Sequence, residues 1–257
     1  MIAPKNILTT WKKFDDFPME TLTKAWFHKK SKNKKQRDVS LMKEHWEQFG
    51  ITGNCFDLAI WLLDEFQKDG ITAYPIGHHL NTSRAHVAVV ALDEAGNRFL
   101  CDLGDQWLTP ILIDEDNEDF TEKRLSGFFP GSQVQVKPLK KTVEVFYHRP
   151  NGKQSKQIYD THPIEMGDFL QAAEYSQNII YPKPLLERRI PYKSEIAHWE
   201  FYNWESFFST SEGLFREHKL TSIEDWAYRI NERTGYDMQF LMETLELYKG
   251  KDSEVLG

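Results

Sequence analysis

The sequence contains few cysteines, only Cys55 and Cys101 among its 257 residues. Two thiols cannot form a framework of several disulfides, which favours a reducing, cytoplasmic compartment. The chain also lacks any run of about 18 apolar residues, so no membrane-spanning helix is expected. Its first residues lack the basic end, apolar stretch and small-residue cleavage site of a signal peptide. These absences together predict a cytoplasmic protein without a membrane partner.

Positive charge is not in excess either, because 32 lysines and arginines stand against 39 aspartates and glutamates, giving a formal net charge of -7. Binding to a nucleic-acid backbone requires a positive surface, so the composition disfavours a nucleic-acid partner. Hydrophobic residues make up 40% of the chain and aromatic residues 14%. That is enough apolar material for a core, and it predicts a folded globular protein.

One segment is biased in composition, the run at residues 29–37, which carries six lysine and arginine side chains. Such a run is typical of a solvated loop between two helices, and this is the interpretation that we favour. The alternative is a basic patch that binds an anionic substrate such as a phosphate. The run itself does not decide between the two.

Hydrophobic periodicity changes along the chain. Helical spacing predicts helices at residues 20–28 and 40–49 and a third that begins at Cys55. From residue 71 the period changes to two, and short strands with intervening turns predict a small barrel or a curled antiparallel sheet. Beyond residue 163, helical spacing flanks an extended segment punctuated by prolines. The pattern as a whole predicts an α+β protein.

The helix that begins at Cys55 is the best defined. Asn54 is a good N-cap, and Asp57 stands three residues later in the capping-box position. Cys55 is therefore predicted at the first helical position, where the positive end of the helix dipole lowers the pKa of a thiol. Taken alone, a cysteine at a helix start is more often a small buried residue than a nucleophile. Cys101 is predicted to point into the packing and receives no role.

His86 and Asp102 lie on two predicted strands, 86–92 and 98–103, joined by a turn at 93–97. A turn centred near residue 95 makes the numbers of opposite residues sum to about 190. The two side chains then point to the same side of the sheet, one diagonal step apart, whereas a shift of one residue would separate them. A cysteine nucleophile needs a histidine and a group that orients it, so Cys55, His86 and Asp102 are the predicted catalytic triad.

A metal site is the other chemistry that the histidines raise. His78, His79 and His86 are close in sequence, but adjacent histidines in a strand point to opposite faces. No carboxylate or thiolate set of known spacing accompanies them, so no metal is predicted.

Three stretches around the predicted triad resemble the arylamine N-acetyltransferase family. They are residues 53–58 (Gly-Asn-Cys-Phe-Asp-Leu), 85–87 (Ala-His-Val) and 99–104 (Phe-Leu-Cys-Asp-Leu-Gly). They are similar to the family's nucleophile segment, to its strand-opening histidine and to its Val-Asp-Val-Gly-like stretch. A looser resemblance runs over residues 40–240 and includes residues 175–178 and 220–226. The chain thus resembles a divergent member of this family, within the wider transglutaminase and papain-like group of Cys-His-Asp enzymes.

The resemblance implies three parts. They are an N-terminal helical bundle at residues 1–70, a central antiparallel β-barrel at 71–163 and a C-terminal α/β lid at 164–257. It also implies two-step acyl transfer, in which Cys55 takes an acetyl group from acetyl-coenzyme A and an amine then removes it. His86 would act as base and later as acid, and Asp102 would hold the imidazole in the right tautomer. The implied partners are a small-molecule acyl donor and an amine acceptor.

Three features depart from the family pattern. Ile51-Thr52-Gly53 stands where the family has Arg-Gly-Gly, and Asp105-Gln106 follows Gly104 where the family has an aromatic residue. No N-terminal motif like Pro-Phe-Glu-Asn is evident. These changes concern the region of the acyl donor and coenzyme more than the triad.

Two other functions remain open. A transglutaminase-like cysteine amidase or peptidase shares the Cys, His, Asp order, but it usually has a tryptophan two residues after the histidine and a proline after the aspartate. Ala88 and Leu103 stand at those positions here, which favours the transferase. The other alternative is a non-catalytic binding protein with the same fold, which the altered segment at residues 105–106 suggests.

Overall fold

The computed structural model describes residues 1–32 and 34–254, with side chains up to residue 250. Seven α-helices lie in this part of the chain. They are α1 (Lys5–Trp11), α2 (Leu22–Lys30), α3 (Val39–Phe49), α4 (Cys55–Lys68), α5 (Met166–Gln177), α6 (Ile223–Thr234) and α7 (Met238–Glu254). Among the helices described, none has a stretch long and apolar enough to span a bilayer.

The strands form three antiparallel sheets. The first sheet has the order β2 (Ala73–His78), β3 (His86–Leu92), β4 (Arg98–Cys101) and β5 (Ile111–Leu112). The second has the order β6 (Leu125–Phe129), β7 (Ser132–Leu139), β8 (Thr142–His148) and β9 (Gln154–Asp160). The third has the order β1 (Met19–Glu20), β10 (Leu185–Tyr192), β11 (Glu195–Tyr202), β12 (Glu205–Thr210) and β13 (Gly213–Arg216). The predicted α+β class is confirmed.

The predicted closed β-barrel at residues 71–163 is wrong. Two separate four-stranded sheets occupy this region, and within residues 1–32 and 34–254 no strand pair joins them into a ring. The reason lies between β5 and β6, because β5 is only two residues long and residues 114–120 form turns held partly by the Asn117 side chain. A barrel requires continuous pairing around its circumference, which this acidic turn segment cannot supply.

The local elements around the predicted triad are confirmed. Strand β3 has the predicted bounds, and α4 begins at Cys55 behind its Asn54 cap. Val89 pairs with Cys101 across β3 and β4, so the numbers of opposite residues sum to 190, as the turn position predicts. The four strands β10 to β13 were not predicted, since prolines and charged residues obscure the period of two there.

Segments from both ends of the chain pack together around the loop before Cys55. The second core cluster combines Trp26 of α2 with apolar residues of β10 to α7. The Tyr236 hydroxyl lies 2.6 Å from Oγ1 of Thr52 and accepts a hydrogen bond from the Thr52 N–H at 3.3 Å. The loop before Cys55 is therefore held by residues more than 180 positions away. The division at residues 70/71 and 163/164 stays a prediction.

Candidate active site

Cys55 begins α4 behind a complete capping box. The Asn54 side-chain oxygen accepts hydrogen bonds from the N–H groups of Phe56 (2.8 Å) and Asp57 (3.3 Å). In return, the Asp57 carboxylate accepts a hydrogen bond from the Asn54 N–H at 3.0 Å. The Cys55 side chain remains partly exposed at this helix end, where the helix dipole favours a negative charge.

A buried guanidinium stabilises the loop before Cys55. Arg37 pairs with Asp57 at 3.2 Å between Nη2 and Oδ1, and each side chain is at most 1% exposed. Arg37 also donates a hydrogen bond to the Thr52 carbonyl, and Gln36 donates one to Asp57 Oδ1 at 2.6 Å. A buried charge is tolerated only when it is paired and hydrogen-bonded, so this pair fixes the loop against α4.

Arg37 changes two interpretations of the sequence. The basic run at residues 29–37 ends in a buried side chain, so its interpretation as a solvated loop is wrong at this position. The loop at 51–53, which lacks the Arg-Gly-Gly arrangement, is nevertheless beside a guanidinium, supplied from a distant part of the chain. Sequence spacing could not reveal this contact, because tertiary packing alone brings residue 37 to α4.

Gly53 has no room for a side chain. Its φ is +153°, and an added Cβ would lie 2.2 Å from Asp57 Oδ2 and 2.6 Å from Arg37 Nη2. We expect Gly53→Ala to lower the free energy of unfolding by about 2–4 kcal/mol, because the Arg37–Asp57 pair must separate. Gly70→Ala, at the other end of α4, is the matched control with a φ of +72° and open space around it. Urea unfolding should show a loss of only about 1 kcal/mol for Gly70→Ala, and equal losses would contradict the argument.

His86 and Asp102 form a short hydrogen bond, with 2.6 Å between Nε2 and Oδ2. Asp102 is completely buried and accepts two further hydrogen bonds at 2.9 Å, from the Tyr159 hydroxyl and from the Asp105 N–H. Burial lowers the pKa of His86, but the charges of Asp102 and Asp105 outweigh it and hold the pKa well above its usual value. The imidazole is therefore fixed in orientation and stabilised as the cation.

The three predicted triad residues converge on Gly104. A Cβ added to Gly104 would lie 2.7 Å from Cβ of Cys55, 3.1 Å from Cε1 of His86 and 3.2 Å from Oδ1 of Asp102. A hydrogen bond with the Cys55 side chain also contributes to the raised pKa of His86. Because Nε2 of His86 faces Asp102, the other ring nitrogen remains for the thiol.

Asp105 is a neighbour of the triad that the sequence analysis noted only as a departure from the family pattern. Its Oδ1 lies 3.9 Å from Nε2 of His86, and its Oδ2 accepts a hydrogen bond from the Tyr147 hydroxyl at 2.9 Å. Burial and the nearby Asp102 charge raise the pKa of Asp105 above its usual value. The sequence signal for this contact was the turn that follows Asp102. An aspartate that starts a turn commonly accepts a hydrogen bond from a following N–H, here that of Asp105.

The cluster of His86, Asp102 and Asp105 is the arrangement that could hold a cation. The ligand atoms of His86, Asp102 and Asp105 lie within 4.8 Å of one another. A metal bound there would compete with the His86–Asp102 hydrogen bond and with the tyrosine hydroxyls that already fill the carboxylate lone pairs. That the protein needs no metal stays a prediction.

A cavity of about 230 Å³ opens over Cys55. His86, Gly104 and Asp105 form one side of it, and Lys24 of α2 lies on another. Lys24 is only 6% exposed, and burial lowers the pKa of its ammonium group. The cavity thus places the Lys24 side chain and the His86 imidazole around the thiol, and its volume is enough for an acyl group with part of its carrier.

A second cavity, which we call the acidic chamber, lies between the second sheet and one face of the third sheet. Its volume is about 360 Å³, and three carboxylates line it, those of Asp105, Glu187 and Glu200. Asp105 and Glu187 also line the cavity over Cys55. The two cavities therefore share an acidic wall next to His86.

The segment at residues 18–21 lies directly beside the loop at residues 51–53, which precedes Cys55. Met19 forms an isolated bridge with Gly53, and the Glu20 N–H donates a hydrogen bond to the Gly53 carbonyl at 2.9 Å. This segment reads Pro-Met-Glu-Thr, which shares Pro18 and Glu20 with the Pro-Phe-Glu-Asn motif that the sequence analysis did not find. Burial raises the pKa of Glu20 to about 7.

Solved arylamine N-acetyltransferases are similar to this chain over nearly its whole length. The enzyme from Salmonella typhimurium superposes with a TM-score of 0.68 at 11% sequence identity, covering 92% of this chain and 89% of its own. The enzyme from Mycobacterium abscessus gives a TM-score of 0.71 at 14% identity, with 94% and 87% covered. The Mycobacterium marinum enzyme, solved in complex with CoA, gives 0.68 at 9% identity, with 95% and 90% covered.

These similarities exist without a match in sequence. No protein-family model matches the chain, and no curated protein matches it. Identities of 9–14% show a shared fold and do not by themselves carry substrates across. The resemblance that the motifs indicated is confirmed at this level: the chain has the fold of the arylamine N-acetyltransferases.

Proposed function

We propose that the protein is a cytoplasmic acyltransferase that moves an acetyl or similar acyl group from coenzyme A to an amine through a thioester on Cys55. The observation that carries this proposal is the convergence of Cys55, His86 and Asp102 around Gly104. The shared fold adds support, because one enzyme with this fold was solved with CoA.

In the first half-reaction, the Cys55 thiolate attacks the carbonyl carbon of the acyl thioester. The bond between that carbon and the coenzyme sulfur breaks, and the His86 imidazolium gives its proton to the departing coenzyme thiolate. The raised pKa of His86 keeps this proton available at neutral pH. The enzyme then carries the acyl group on Cys55, with a neutral imidazole beside it.

In the second half-reaction, an amine nitrogen attacks the new thioester. His86 accepts the proton that the nitrogen loses, the carbon–sulfur bond breaks, and Cys55 leaves as the thiolate. Asp102 keeps the imidazole oriented throughout, since Tyr159 and the Asp105 N–H hold its carboxylate in place.

The backbone of α4 offers a donor for the oxyanion that forms in both steps. The capping box uses the N–H groups of Phe56 and Asp57. The hydrogen bonds of the described residues leave the Cys55 N–H unused, at the positive end of the helix. A backbone N–H in such a position stabilises a tetrahedral intermediate on the adjacent side chain.

Intact-protein mass spectrometry after incubation with acetyl-coenzyme A tests this proposal. We expect one acetyl adduct, because Cys101 is buried and burial raises the pKa of its thiol. Cys101→Ser is the matched control and should acquire the same adduct. If neither protein is acetylated while iodoacetamide rapidly alkylates Cys55, coenzyme A is not the donor. Release of acyl groups from simple amides without coenzyme A would then point to the amidase alternative.

A further inference from the structure

The acidic chamber contains a pair of like charges that face each other. Glu187 of β10 and Glu200 of β11 are direct cross-strand partners, so both carboxylates project from the same face of the third sheet. Like charges placed directly opposite each other destabilise a sheet. Burial, and then the charge of Glu187, raise the pKa of Glu200 to about 7. The fold keeps an arrangement that weakens it, which is typical of a functional site.

His198 provides an independent sign of a ligand. It lies on the same face as Glu200, is 9% exposed, and lines the chamber. Its Nε2 atom is buried and has no hydrogen-bond partner among the described residues, since the Glu187 carboxylate lies 3.7 Å away. A buried polar atom normally has a partner, so a group that enters the chamber is needed to satisfy it.

The chamber adjoins the cavity over Cys55. Asp105 and Glu187 line both the chamber and the cavity over Cys55. Asp105 Oδ1 is 3.9 Å from Nε2 of His86. The chamber and the predicted triad are therefore neighbours across this acidic wall.

We propose that the acidic chamber is the acceptor subsite and that it binds the ammonium end of an aliphatic diamine, whose other amine reaches the thioester on Cys55. The inference rests on the proposed acyl transfer and specifies the class of its acceptor. The chamber has the volume of a small-molecule site, and Glu200, which lines it but not the cavity over Cys55, adds to the repulsion of the phosphates of coenzyme A there. The donor is thereby left to the cavity that Lys24 lines.

The lining is rich in acceptors for one ammonium group. Three carboxylates line the chamber, while Arg149 lies exposed at its rim and His198 becomes neutral when the ligand binds. An ammonium donates three hydrogen bonds, enough for the carboxylates of Glu187 and Glu200 and for Nε2 of His198. The apolar walls include Phe129, whose ring suits both methylene groups and a cation.

His198 adapts to this ligand. Burial lowers the pKa of His198, but the adjacent Glu187 carboxylate, and after it the charge of Glu200, outweigh burial and raise the pKa above its usual value. An ammonium between these carboxylates cancels their effect and favours the neutral imidazole. Its Nε2 can then accept a hydrogen bond from the ligand.

At the near end of the diamine, the reacting nitrogen loses two protons in turn. The near ammonium first loses one proton to water by way of the Asp105 carboxylate. The neutral nitrogen then attacks the thioester carbon, His86 takes the second proton, and the carbon–sulfur bond breaks to release the Cys55 thiolate. The product is a monoacetylated diamine that still carries its distant ammonium in the chamber.

Binding can be measured without any acyl transfer. Isothermal titration of the Cys55→Ala protein with 1,4-diaminobutane should show binding that weakens by at least about tenfold when Glu187→Gln and Glu200→Gln are added. Glu205→Gln is the matched control, because Glu205 lies on the neighbouring strand in an exposed ion pair with Arg216 and should leave binding unchanged. Equal binding to the doubly substituted protein would overturn the inference.

The kinetic test separates the two proposals. With acetyl-enzyme as substrate, the pair Glu187→Gln and Glu200→Gln should raise KM for 1,4-diaminobutane at least about tenfold. Aniline, which carries no charge at neutral pH, should show a much smaller change in KM, so the ratio of the two KM values is the readout. An equal loss for both amines would overturn the inference. If acetyl-coenzyme A never acylates Cys55 but the diamine binds in a Glu187- and Glu200-dependent way, the acyl transfer fails while the assignment of the chamber's ligand stands.

Thermal stability gives a final check on the role of the pair. Glu200→Gln removes the like charge, so we expect it to raise Tm by about 2–4 °C at pH 8. Glu205→Gln should not raise it. A fall in Tm on Glu200→Gln would identify the carboxylate as a structural group and would count against a ligand site.

Discussion

Replacement of Cys55 by alanine is expected to abolish acyl transfer, with a loss of at least about 10⁴-fold in turnover. In the proposed reaction the thiol sulfur forms the thioester, and neither His86 nor Asp102, the other two side chains around Gly104, can take its place. Alanine fits the first position of α4, and the Asn54 and Asp57 hydrogen bonds that start the helix do not involve the sulfur. Product formation from acetyl-coenzyme A and an amine, together with the circular dichroism spectrum, measures both effects.

The control for this change is the second thiol. Cys101 lies buried at the end of β4, and its sulfur is near the Phe99 carbonyl at 3.5 Å. Cys101→Ser should therefore keep full turnover and lose only a little stability. Wild-type turnover in Cys55→Ala, or its loss in Cys101→Ser alone, would show that the nucleophile has been assigned to the wrong residue.

Replacement of Asp102 by asparagine is expected to keep the fold but to lower kcat by about 10⁴-fold. An asparagine amide presents no negative charge to Nε2 of His86 and favours the wrong tautomer of the imidazole. The Asp102 charge also helps to hold the pKa of His86 above its usual value. Acylation needs the imidazolium, so its rate falls as pH rises through this pKa, and that fall should occur at lower pH in Asp102→Asn.

Asp105→Asn is the matched control for this change. Asp105 lies 3.9 Å from Nε2 of His86, beyond hydrogen-bond distance, whereas Asp102 lies 2.6 Å from it. Its replacement should move the pH profile in the same direction but cost much less in rate at the plateau. Stopped-flow measurement of enzyme acylation across pH 5–9 distinguishes the two variants. Equal losses in both would mean that Asp102 acts only through its charge and does not orient the imidazole.

The parts of the site that sequence could predict are those set by neighbours in the chain. Asn54 and Asp57 identify the start of α4 because a capping box is a local pattern of hydrogen bonds. The position of the turn at 93–97 determines the register of β3 and β4, which places His86 and Asp102 on one side. These two local patterns predicted the start of α4 and the pairing of His86 with Asp102, whereas the approach of Cys55 to them depends on the packing of α4 against the first sheet.

The parts that sequence could not predict depend on contacts between distant segments. Arg37 and Asp57 show no pattern that would reveal their pairing, and the alternation of strands cannot tell two open sheets from a closed barrel. Glu187 and Glu200 look like ordinary charged residues of exposed strands until the second sheet covers them. The acidic chamber is thus a product of sheet packing, and no local motif marks it.

The contact between Thr52 and Tyr236 has a consequence for the newborn chain. Ribosomes add roughly 5–20 residues per second, so the 184 positions that separate the two residues take about 10–40 seconds to synthesise. Throughout that time the loop before Cys55 lacks Tyr236, the partner that anchors it. Strand β10, which pairs with β1, is also made late. The loop before Cys55 is therefore expected to reach its final arrangement only after Tyr236 has been made, late in the synthesis of the chain.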